Sequence, residues 1–365
     1  MNSRERVLTA LRRQEPDRVP FLDFAIDEPV ALALLGKPIP PDLIGGELGT
    51  ETNPVIMGRL LDSPRYEEME LVRNLDLDGI GAYCFARHGG VQVLVGDHYM
   101  VAGGSIKTWE DFETRIQSPD GDLHLPDPDD PTLYEPFRRF TDEMRDTGLA
   151  RYCLLNLCSD PVILGMGLES FALMLYDDPD LITAMFEYYS QWYARVVKRL
   201  CELDFDFLWF ADDIAHKTAP FVSPSTFRQL FMPHYRRVAE QITKPWIFHS
   251  DGNLLPILDD LVTLGMSGLH PIEPEAMDLG ELKRRYGRDL CLVGHISVDT
   301  LSRGAPEEVD ALVQHAIQTA APGGGYIAGS SNSIAYYCRP ENVRAMQWAI
   351  RKYGDYPISH TLNTF

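Results

Sequence analysis

Long hydrophobic runs are absent from this chain. No apolar stretch approaches the roughly 20 residues that a membrane-spanning helix needs, although hydrophobic residues make up 45% of the sequence, enough to form an ordinary core. The first residues, 1–6, also lack the apolar region of a secretory signal. We therefore expect a cytoplasmic globular protein.

Positive charge is scarce as well. The chain has 33 Lys and Arg residues against 54 Asp and Glu residues, and its formal net charge is −21. Such an excess of negative charge keeps a protein soluble and repels polyanions. This balance argues against a nucleic-acid partner and against an anionic membrane surface, but it leaves room for a local basic pocket.

The chain also lacks closely spaced cysteine pairs. The chain has 6 cysteines, none of them forms a CxxC pair, and most lie within apolar runs. A disulfide framework is therefore not expected, and we interpret these residues as reduced thiols in packed surroundings.

Apolar strand-like segments alternate with helical segments along the chain. The eight predicted strands are 19–24, 78–84, 151–157, 206–211, 245–248, 267–272, 290–294 and 326–329. Eight such units in 365 residues are typical of a (β/α)8 TIM barrel, an α/β fold in which helices cover a closed parallel sheet. No Gly-rich dinucleotide fingerprint follows the first strand, which disfavours a doubly wound sheet.

Two segments are additions to this barrel. Segment 1–18 contains an amphipathic helix, and region 85–130 contains two alternating segments, 91–95 and 98–102, around the turn Gly96-Asp97. A two-residue turn between alternating segments is typical of a β-hairpin. We predict a single domain over 1–365 with an N-terminal helical extension and a β-hairpin insertion after the second strand.

Polar and titratable side chains gather at the predicted strand ends. In a (β/α)8 barrel the carboxyl ends of all strands form one rim, and this rim carries the active site. The residues predicted to be catalytic are Asp212, Asp213, His249, Asp251 and His295. The residues predicted to bind substrate are Asp23, Tyr83, Asn156, His270 and Asn332.

Several of these side chains also have a structural explanation. Asp212 and Asp213 could cap the segment after their strand, whereas a raised pKa would suit either to general acid or base catalysis. His249 could be a buried histidine satisfied by a neighbour, with Asp251 as the cap of the next helix. A histidine in a barrel interior, such as His270, can likewise serve packing alone.

Four stretches of the chain carry a family resemblance. They are 4–20, Asp212-Asp213 followed by Ser223-Pro224, 249–253, and the run from 323–326 to 340–342. Together they resemble the uroporphyrinogen decarboxylase superfamily over nearly the whole chain. The resemblance implies a (β/α)8 barrel with amino-terminal additions, in agreement with the strand count. Because that superfamily contains different chemistries, its activity has to be argued from the site.

The decarboxylase branch is the first alternative. True uroporphyrinogen decarboxylases hold a polycarboxylated tetrapyrrole with arginines in a pattern close to RQAGRY after the first strand. The corresponding stretch here, 21–29, has no arginine and contains the acids Asp23, Asp27 and Glu28. Carboxylates in that place would repel such a substrate by several kcal/mol, on the order expected at intermediate dielectric, so porphyrinogen decarboxylation is disfavoured.

The methyltransferase branch is the second alternative. Its members resemble one another in holding zinc through a His-x-Cys pair after the fifth strand and a further cysteine after the eighth. Here His249 matches the first ligand, Asp251 replaces the cysteine, and Ser330, Ser331 and Asn332 follow the eighth strand. Histidine with carboxylates is a harder donor set than thiolates and suits an oxygen ligand rather than a thiol coenzyme.

The resemblance therefore implies a corrinoid-dependent methyltransferase. We expect it to move a methyl group from a small O-methyl or N-methyl donor to a corrinoid carried by a partner protein, with the assistance of Zn²⁺. The proposed metal ligands are His249, Asp251 and Glu273, with His295 as an alternative. A decarboxylase and a non-catalytic small-molecule binder stay open as alternatives, and the sequence allows a homodimer without fixing the oligomeric state.

Overall fold

A curled, mostly parallel β-sheet with helices around it organises the chain. The computed structural model describes residues 1–40, 55–59, 67–95 and 98–358. The strands are β1 (Val55–Arg59), β2 (Gly79–Ala86), β3 (Gly90–Val95), β4 (His98–Gly104), β5 (Ala150–Leu155), β6 (Phe207–Ala211), β7 (Trp246–His249), β8 (Gly268–His270), β9 (Cys291–Ile296) and β10 (Tyr326–Ser330). The main sheet has the order β1-β2-β5-β6-β7-β8-β9-β10. Seven of these strands run parallel, and only β1 pairs antiparallel, with β2.

The helices follow the strands along the chain. They are α1 (Ser3–Leu11), α2 (Glu28–Leu34), α3 (Glu68–Leu75), α4 (Trp109–Asp111), α5 (Glu135–Glu143), α6 (Ser159–Met166), α7 (Leu168–Asp177), α8 (Pro179–Glu202), α9 (Pro224–Thr226), α10 (Met232–Ala239), α11 (Leu258–Val262), α12 (Leu279–Tyr286), α13 (Val298–Arg303), α14 (Pro306–Ala320) and α15 (Pro340–Tyr353). Among the described helices none is both long and apolar enough to cross a membrane. All six cysteines lie in the described part of the chain as free thiols.

The predicted first strand, 19–24, is not a regular strand. Phe21 makes a single parallel bridge to Ala328 of β10, flanked by hydrogen bonds from the Leu22 N–H to the Ala328 carbonyl and from the Ala328 N–H to the Pro20 carbonyl. On its other side, the Phe21 carbonyl accepts a 2.8 Å bond from the Asp78 N–H. Because proline lacks an N–H, Pro20 cannot continue a ladder. The segment nevertheless lies between β10 and the start of β2.

The hairpin β3–β4 is a separate two-stranded antiparallel sheet. Its pairing runs from Gly90 opposite Gly104 to Val95 opposite His98. The predicted turn Gly96-Asp97 lies outside the described residues.

Alternate residues of the central strands pack into two different apolar clusters. In β6, Phe207 and Trp209 contribute to a cluster inside the curled sheet, whereas Leu208 and Phe210 belong to the larger cluster between sheet and helices. Such alternation follows from the two-residue period of a strand with both faces covered. Helix α1 adds Val7 and other residues to the inner cluster. Arg6 of α1 bonds to Asp78, just before β2, and the Arg4 N–H bonds to the Gly148 carbonyl, just before β5. Helix α1 therefore covers the amino-terminal ends of these strands, and the carboxyl ends remain for a site.

Candidate active site

The register of three neighbouring strands places the candidate site. His249 is the last residue of β7, and it aligns with Ala211 of β6 on one side and with His270 of β8 on the other. The parallel pairing therefore brings the segments after β6 and β7 to one point of the rim. The loop after β7 passes close to the loop after β6, because a side chain at Gly252 would lie 2.4 Å from the His216 carbonyl oxygen. Gly252 also has a φ of 87°, which favours glycine.

Asp213, His249 and Asp251 form a compact cluster at this point. One ligand atom from each lies within 4.8 Å of the other two. The His249 Nε2 atom is 3.7 Å from Asp213 Oδ1 and 3.7 Å from Asp251 Oδ1. The Asp251 N–H donates a 3.0 Å hydrogen bond to Asp213 Oδ1, which ties the two loops together. Three atoms that typically bind metals thus converge.

Asp251 is held by one oxygen and leaves the other without a partner. Asn332, which follows β10, donates a 2.6 Å hydrogen bond through Nδ2 to Asp251 Oδ2. Asp251 Oδ1 is buried and has no hydrogen-bond partner. A buried carboxylate oxygen without a partner costs free energy unless it binds a proton or a cation. The unpartnered atom is the one that faces His249.

Contacts at Nδ1, the ring nitrogen that points away from Asp213 and Asp251, and on the ring face fix the orientation of His249. Its Nδ1 lies 2.6 Å from Nδ1 of His270. The Phe24 ring stacks on it with a centroid distance of 4.1 Å and an interplanar angle of 10°. Burial lowers the pKa of His249 to about 4, with a small opposing contribution from Asp213, so the imidazole is neutral at physiological pH.

The carboxyl groups around His249 are crowded. Burial, followed by the charges of Asp213 and Glu273, raises the pKa of Asp251 to about 8. Burial and the neighbouring carboxylates Asp212 and Asp213 raise the pKa of Asp160. In the absence of a cation these groups resist simultaneous ionisation, and a bound cation would remove that resistance.

Asp212 and Asp213 are adjacent in sequence but point to different places. The Asp212 side chain is fully buried and accepts hydrogen bonds from the backbone N–H groups of Cys158 and Ser159, both 2.9 Å, and of Asp160, 3.2 Å. These groups lie at the start of α6, where N–H donors lack helical partners. Asp212, predicted to be catalytic, therefore caps a helix, and Asp213 alone of the pair enters the cluster.

Glu273 lies beside the cluster but is not part of it. Its Oε2 accepts a 2.6 Å hydrogen bond from the Gly252 N–H, and the three-residue group found in the described part of the chain contains Asp213 in its place. Asp213 therefore joins His249 and Asp251 in the cluster that the described residues form, and Glu273 as a third ligand stays a prediction. Glu273 stabilises the loop that carries Asp251.

The side chains of His295 and Asn156 form hydrogen bonds with other parts of the protein. The His295 Nδ1 lies 2.9 Å from the Ile272 carbonyl oxygen, and the residue adopts a φ of 89°. The Asn156 Oδ1 accepts a 3.0 Å bond from the Tyr193 hydroxyl, and its Nδ2 donates to the Ala211 carbonyl. The structure does not bring either residue into the cluster.

Asp23 and Tyr83 are two further residues that the sequence predicts to bind substrate. Asp23 is buried and accepts a 2.5 Å bond from the Ser330 hydroxyl, and burial raises the pKa of its carboxyl group to about 7. Tyr83 lies in β2, half buried and 6.2 Å from Phe85 between ring centroids. Neither belongs to the group around His249.

Sequence reasoning missed two residues that shape the cluster. Asp160 accepts a 2.8 Å bond from the Asp213 N–H through Oδ1, and Phe24 stacks on His249. Asp160 carried a usable signal, since Ser159-Asp160-Pro161 begins a helix immediately after the predicted strand 151–157. Phe24 carried no such signal, because His249, the ring on which it stacks, is distant in sequence.

Comparisons with known proteins agree with this architecture. The family model described as uroporphyrinogen decarboxylase (URO-D) matches residues 162–353. The methylated-thiol–coenzyme M methyltransferase of Methanosarcina mazei is 25% identical over 183 residues, which are 49% of this chain and 47% of that protein. The methylcobamide:CoM methyltransferase MtaA of Methanosarcina barkeri is 26% identical over 200 residues, which are 54% of this chain and 56% of that protein.

The matched regions differ in extent between sequence and structure. The chain spans about half the length of the curated relatives it matches. A solved methyltransferase from Methanosarcina mazei superimposes with a TM-score of 0.68 at 20% identity, over 97% of this chain and 99% of that chain, and so shares its fold. Because the family model covers more than half of the sequence, the resemblance is confirmed, and this chain belongs to the uroporphyrinogen decarboxylase (URO-D) family.

Proposed function

We propose that this protein is a methyltransferase that moves a methyl group from a small O-methyl or N-methyl donor to a corrinoid on a partner protein. The corrinoid is the methyl acceptor and hence a substrate. Family membership and the names of the two curated relatives support the class. The observation that carries the proposal is the convergence of His249 Nε2 with Asp213 Oδ1 and Asp251 Oδ1 at the sheet's carboxyl edge.

These three residues fit a divalent metal ion such as Zn²⁺. One histidine nitrogen and two carboxylate oxygens are ordinary zinc ligands, and three protein ligands with an open position are typical of catalytic zinc sites. The unpartnered Asp251 Oδ1 is the atom that such an ion would satisfy. When bound, the metal would supply a Lewis acid that polarises the heteroatom of the methyl donor.

The surrounding residues would orient the ligands and control access. Asn332 holds Asp251 by its second oxygen, and Phe24 covers one face of His249. The Asp213 side chain is 48% exposed, whereas that of His249 is only 5% exposed. Donor and acceptor would therefore approach from the side of Asp213.

The donor set also bears on the substrate class. Two carboxylates and an imidazole are harder than the thiolates of a His-x-Cys site, and hard donor sets favour oxygen ligands. A methylated oxygen or nitrogen compound is therefore preferred to a thiol. Uroporphyrinogen is disfavoured, because the stretch 21–29 offers no arginine to its carboxylates and contains Asp23, Asp27 and Glu28 instead; two like charges 4 Å apart repel by about 4 kcal/mol at an effective dielectric constant of about 20.

We further infer that the segment 19–24 closes the sheet into a (β/α)8 barrel as its first, irregular strand. The hydrogen bonds of Phe21 and Leu22 towards Asp78 and Ala328 support this closure. The family domain would then occupy 1–365, with 1–18 and 85–130 as additions to the barrel.

Metal analysis and a methyl-transfer assay test the proposal. Purified protein is stripped with a chelator, reloaded with Zn²⁺ and mixed with a reduced corrinoid and either a methoxylated aromatic compound or a methylated amine. We expect one zinc per chain and a methylated corrinoid, detected by its absorbance. His249→Ala and Asp251→Ala should lose both, whereas His315→Ala, an exposed histidine on α14, should retain both.

Two results would contradict the proposal. The first is the absence of stoichiometric zinc from the reloaded wild-type protein, which would remove the metal-assisted reaction. The second is conversion of uroporphyrinogen to coproporphyrinogen under anaerobic conditions without methyl transfer to any donor, which would restore the decarboxylase alternative.

A further inference from the structure

The contact between His249 and His270 constrains where their hydrogens lie. Their Nδ1 atoms are 2.6 Å apart, and both rings are buried. Two N–H groups cannot face each other at that distance, and two lone pairs would repel. One ring must therefore donate its Nδ1 hydrogen to the other, and a neutral imidazole carries only one hydrogen.

The backbone of Ser330 decides the direction of this hydrogen bond. Since the Nδ1 atom of His270 faces His249, its Nε2 is the ring nitrogen left over, and this atom and the Ser330 carbonyl oxygen both lie beside Gly294, 3.4 Å and 2.6 Å from where its Cβ would be. The Ser330 backbone also acts as a hydrogen-bond acceptor that raises the pKa of His270 against the effect of burial. A carbonyl oxygen only accepts, so the hydrogen of His270 lies on Nε2. His270 Nδ1 is then an acceptor, and His249 Nδ1 is the donor.

The backbone at Gly294 makes room for this arrangement. A Cβ atom there would lie 2.6 Å from the Ser330 carbonyl oxygen and 3.4 Å from His270 Nε2. Trp209 packs edge-on against the His270 ring with a centroid distance of 5.0 Å. The ring is thus held between an aromatic edge and a glycine, and its orientation is set by packing as well as by hydrogen bonds.

We infer that His270 is a positioning residue that holds His249 in the tautomer with its hydrogen on Nδ1. This inference rests on the proposed function, because its consequence concerns the metal ligand. The His249 Nε2 lone pair then faces Asp213 and Asp251, ready to bind a cation without prior loss of a proton. Partners that fix a ligand histidine in this way strengthen metal binding; here a second imidazole and a carbonyl take the place of the more common carboxylate.

Nuclear magnetic resonance of the metal-free protein tests the tautomer directly. With ¹⁵N-labelled histidine, long-range ¹H–¹⁵N correlations distinguish an Nδ1–H ring from an Nε2–H ring. We expect His249 as the Nδ1–H form and His270 as the Nε2–H form, assigned through His249→Asn and His270→Asn. His234→Asn serves as a control for loss of a buried histidine outside the site. A His249 ring with its hydrogen on Nε2 would overturn the inference.

Metal affinity tests the consequence. Competition with a chromogenic chelator should show that His270→Phe binds Zn²⁺ about 10 to 100-fold more weakly than the wild type, the usual effect of removing such a partner. His270→Asn can place an amide oxygen near the former Nδ1 and should recover most of the affinity. His234→Asn should match the wild type.

The outcomes separate this inference from the proposed function. A folded His270→Phe protein with wild-type affinity would overturn the inference, and if that variant does not fold, a His270→Asn protein in which His249 keeps its hydrogen on Nδ1 supports it. Failure of the wild-type protein to bind Zn²⁺ would contradict the proposed function, while the resonance measurement would still decide the tautomer.

Discussion

The substitution Asp251→Asn should stabilise the metal-free protein while it abolishes metal binding. The Asp251 carboxyl has its pKa raised to about 8 by burial and by neighbouring carboxylates. An acid with a raised folded-state pKa makes the fold less stable as pH rises from its unfolded pKa, about 4, to its folded pKa. An amide removes this charge, and its NH2 group can donate towards His249 Nε2 and Asp213 Oδ1.

The magnitude follows from the proton that the folded protein retains. Between the unfolded pKa of about 4 and pH 7, each pH unit lowers the free energy of unfolding by about 1.4 kcal/mol, which amounts to about 4 kcal/mol in total. The Asp251 side chain is 31% exposed, and screening by solvent reduces the gain to about 2 kcal/mol. The wild-type free energy of unfolding should therefore decline between pH 5 and pH 8 more steeply than that of the variant.

Urea unfolding in the presence of a chelator measures this effect. Midpoints at pH 5, 6, 7 and 8, followed by circular dichroism, should diverge between wild type and Asp251→Asn as pH rises. Asp120→Asn, an exposed aspartate in a loop, is the matched control and should follow the wild type. Added Zn²⁺ at 100 times its dissociation constant should then stabilise the wild type by about 2.7 kcal/mol and leave Asp251→Asn unchanged. Equal pH dependence of the two proteins would refute the reasoning.

Three further substitutions probe the supports of the site and of the opposite end of the sheet. Asp212→Ala should lower the free energy of unfolding by about 1 to 3 kcal/mol, because the α6 donors lose their buried acceptor; an unchanged denaturation midpoint would contradict the capping role. Asp78→Ala should cost about 3 to 5 kcal/mol in urea unfolding, because it removes the buried carboxylate that pairs with Arg6 and Arg18 and leaves Arg6 with Asp17 alone. Gly252→Ala should weaken Zn²⁺ binding in a chelator competition, because its φ of 87° and the nearby carbonyl exclude a side chain; wild-type affinity would show that the loop is adaptable.

Strand periodicity accounts for the parts of the fold that the sequence predicts well. Seven of the eight predicted strands appear as parallel neighbours, because their apolar runs are buried on both faces and lie between helical segments. The exception is 19–24, which has the same apolar character but contains Pro20. Only the structure shows that its pairing with β10 is limited to one bridge, between Phe21 and Ala328. The hairpin also follows from local alternation, although its turn lies outside the described residues.

Local sequence does not decide which polar residues at the rim meet. Asp212 and Asp213 are the same residue type and follow β6 directly, yet Asp212 caps α6 and Asp213 faces His249. Successive side chains leave the backbone in different directions, so a shift of one residue changes the neighbours completely. Glu273 was likewise predicted as the third ligand, whereas the structure brings Asp213 next to His249 and Asp251 and bonds Glu273 Oε2 to the Gly252 N–H.

The amino-acid sequence by itself determined the alternation of strands and helices, the family, and the set of strand ends from which a site had to be built. It also determined that His249 and Asp251 would lie close together, because they are two residues apart at one strand end. Only the tertiary structure decided that Asp213 completes the cluster and that His270 contacts His249 Nδ1. The physical reason is that these contacts join different strands, and their distances depend on register and side-chain direction rather than on spacing along the chain.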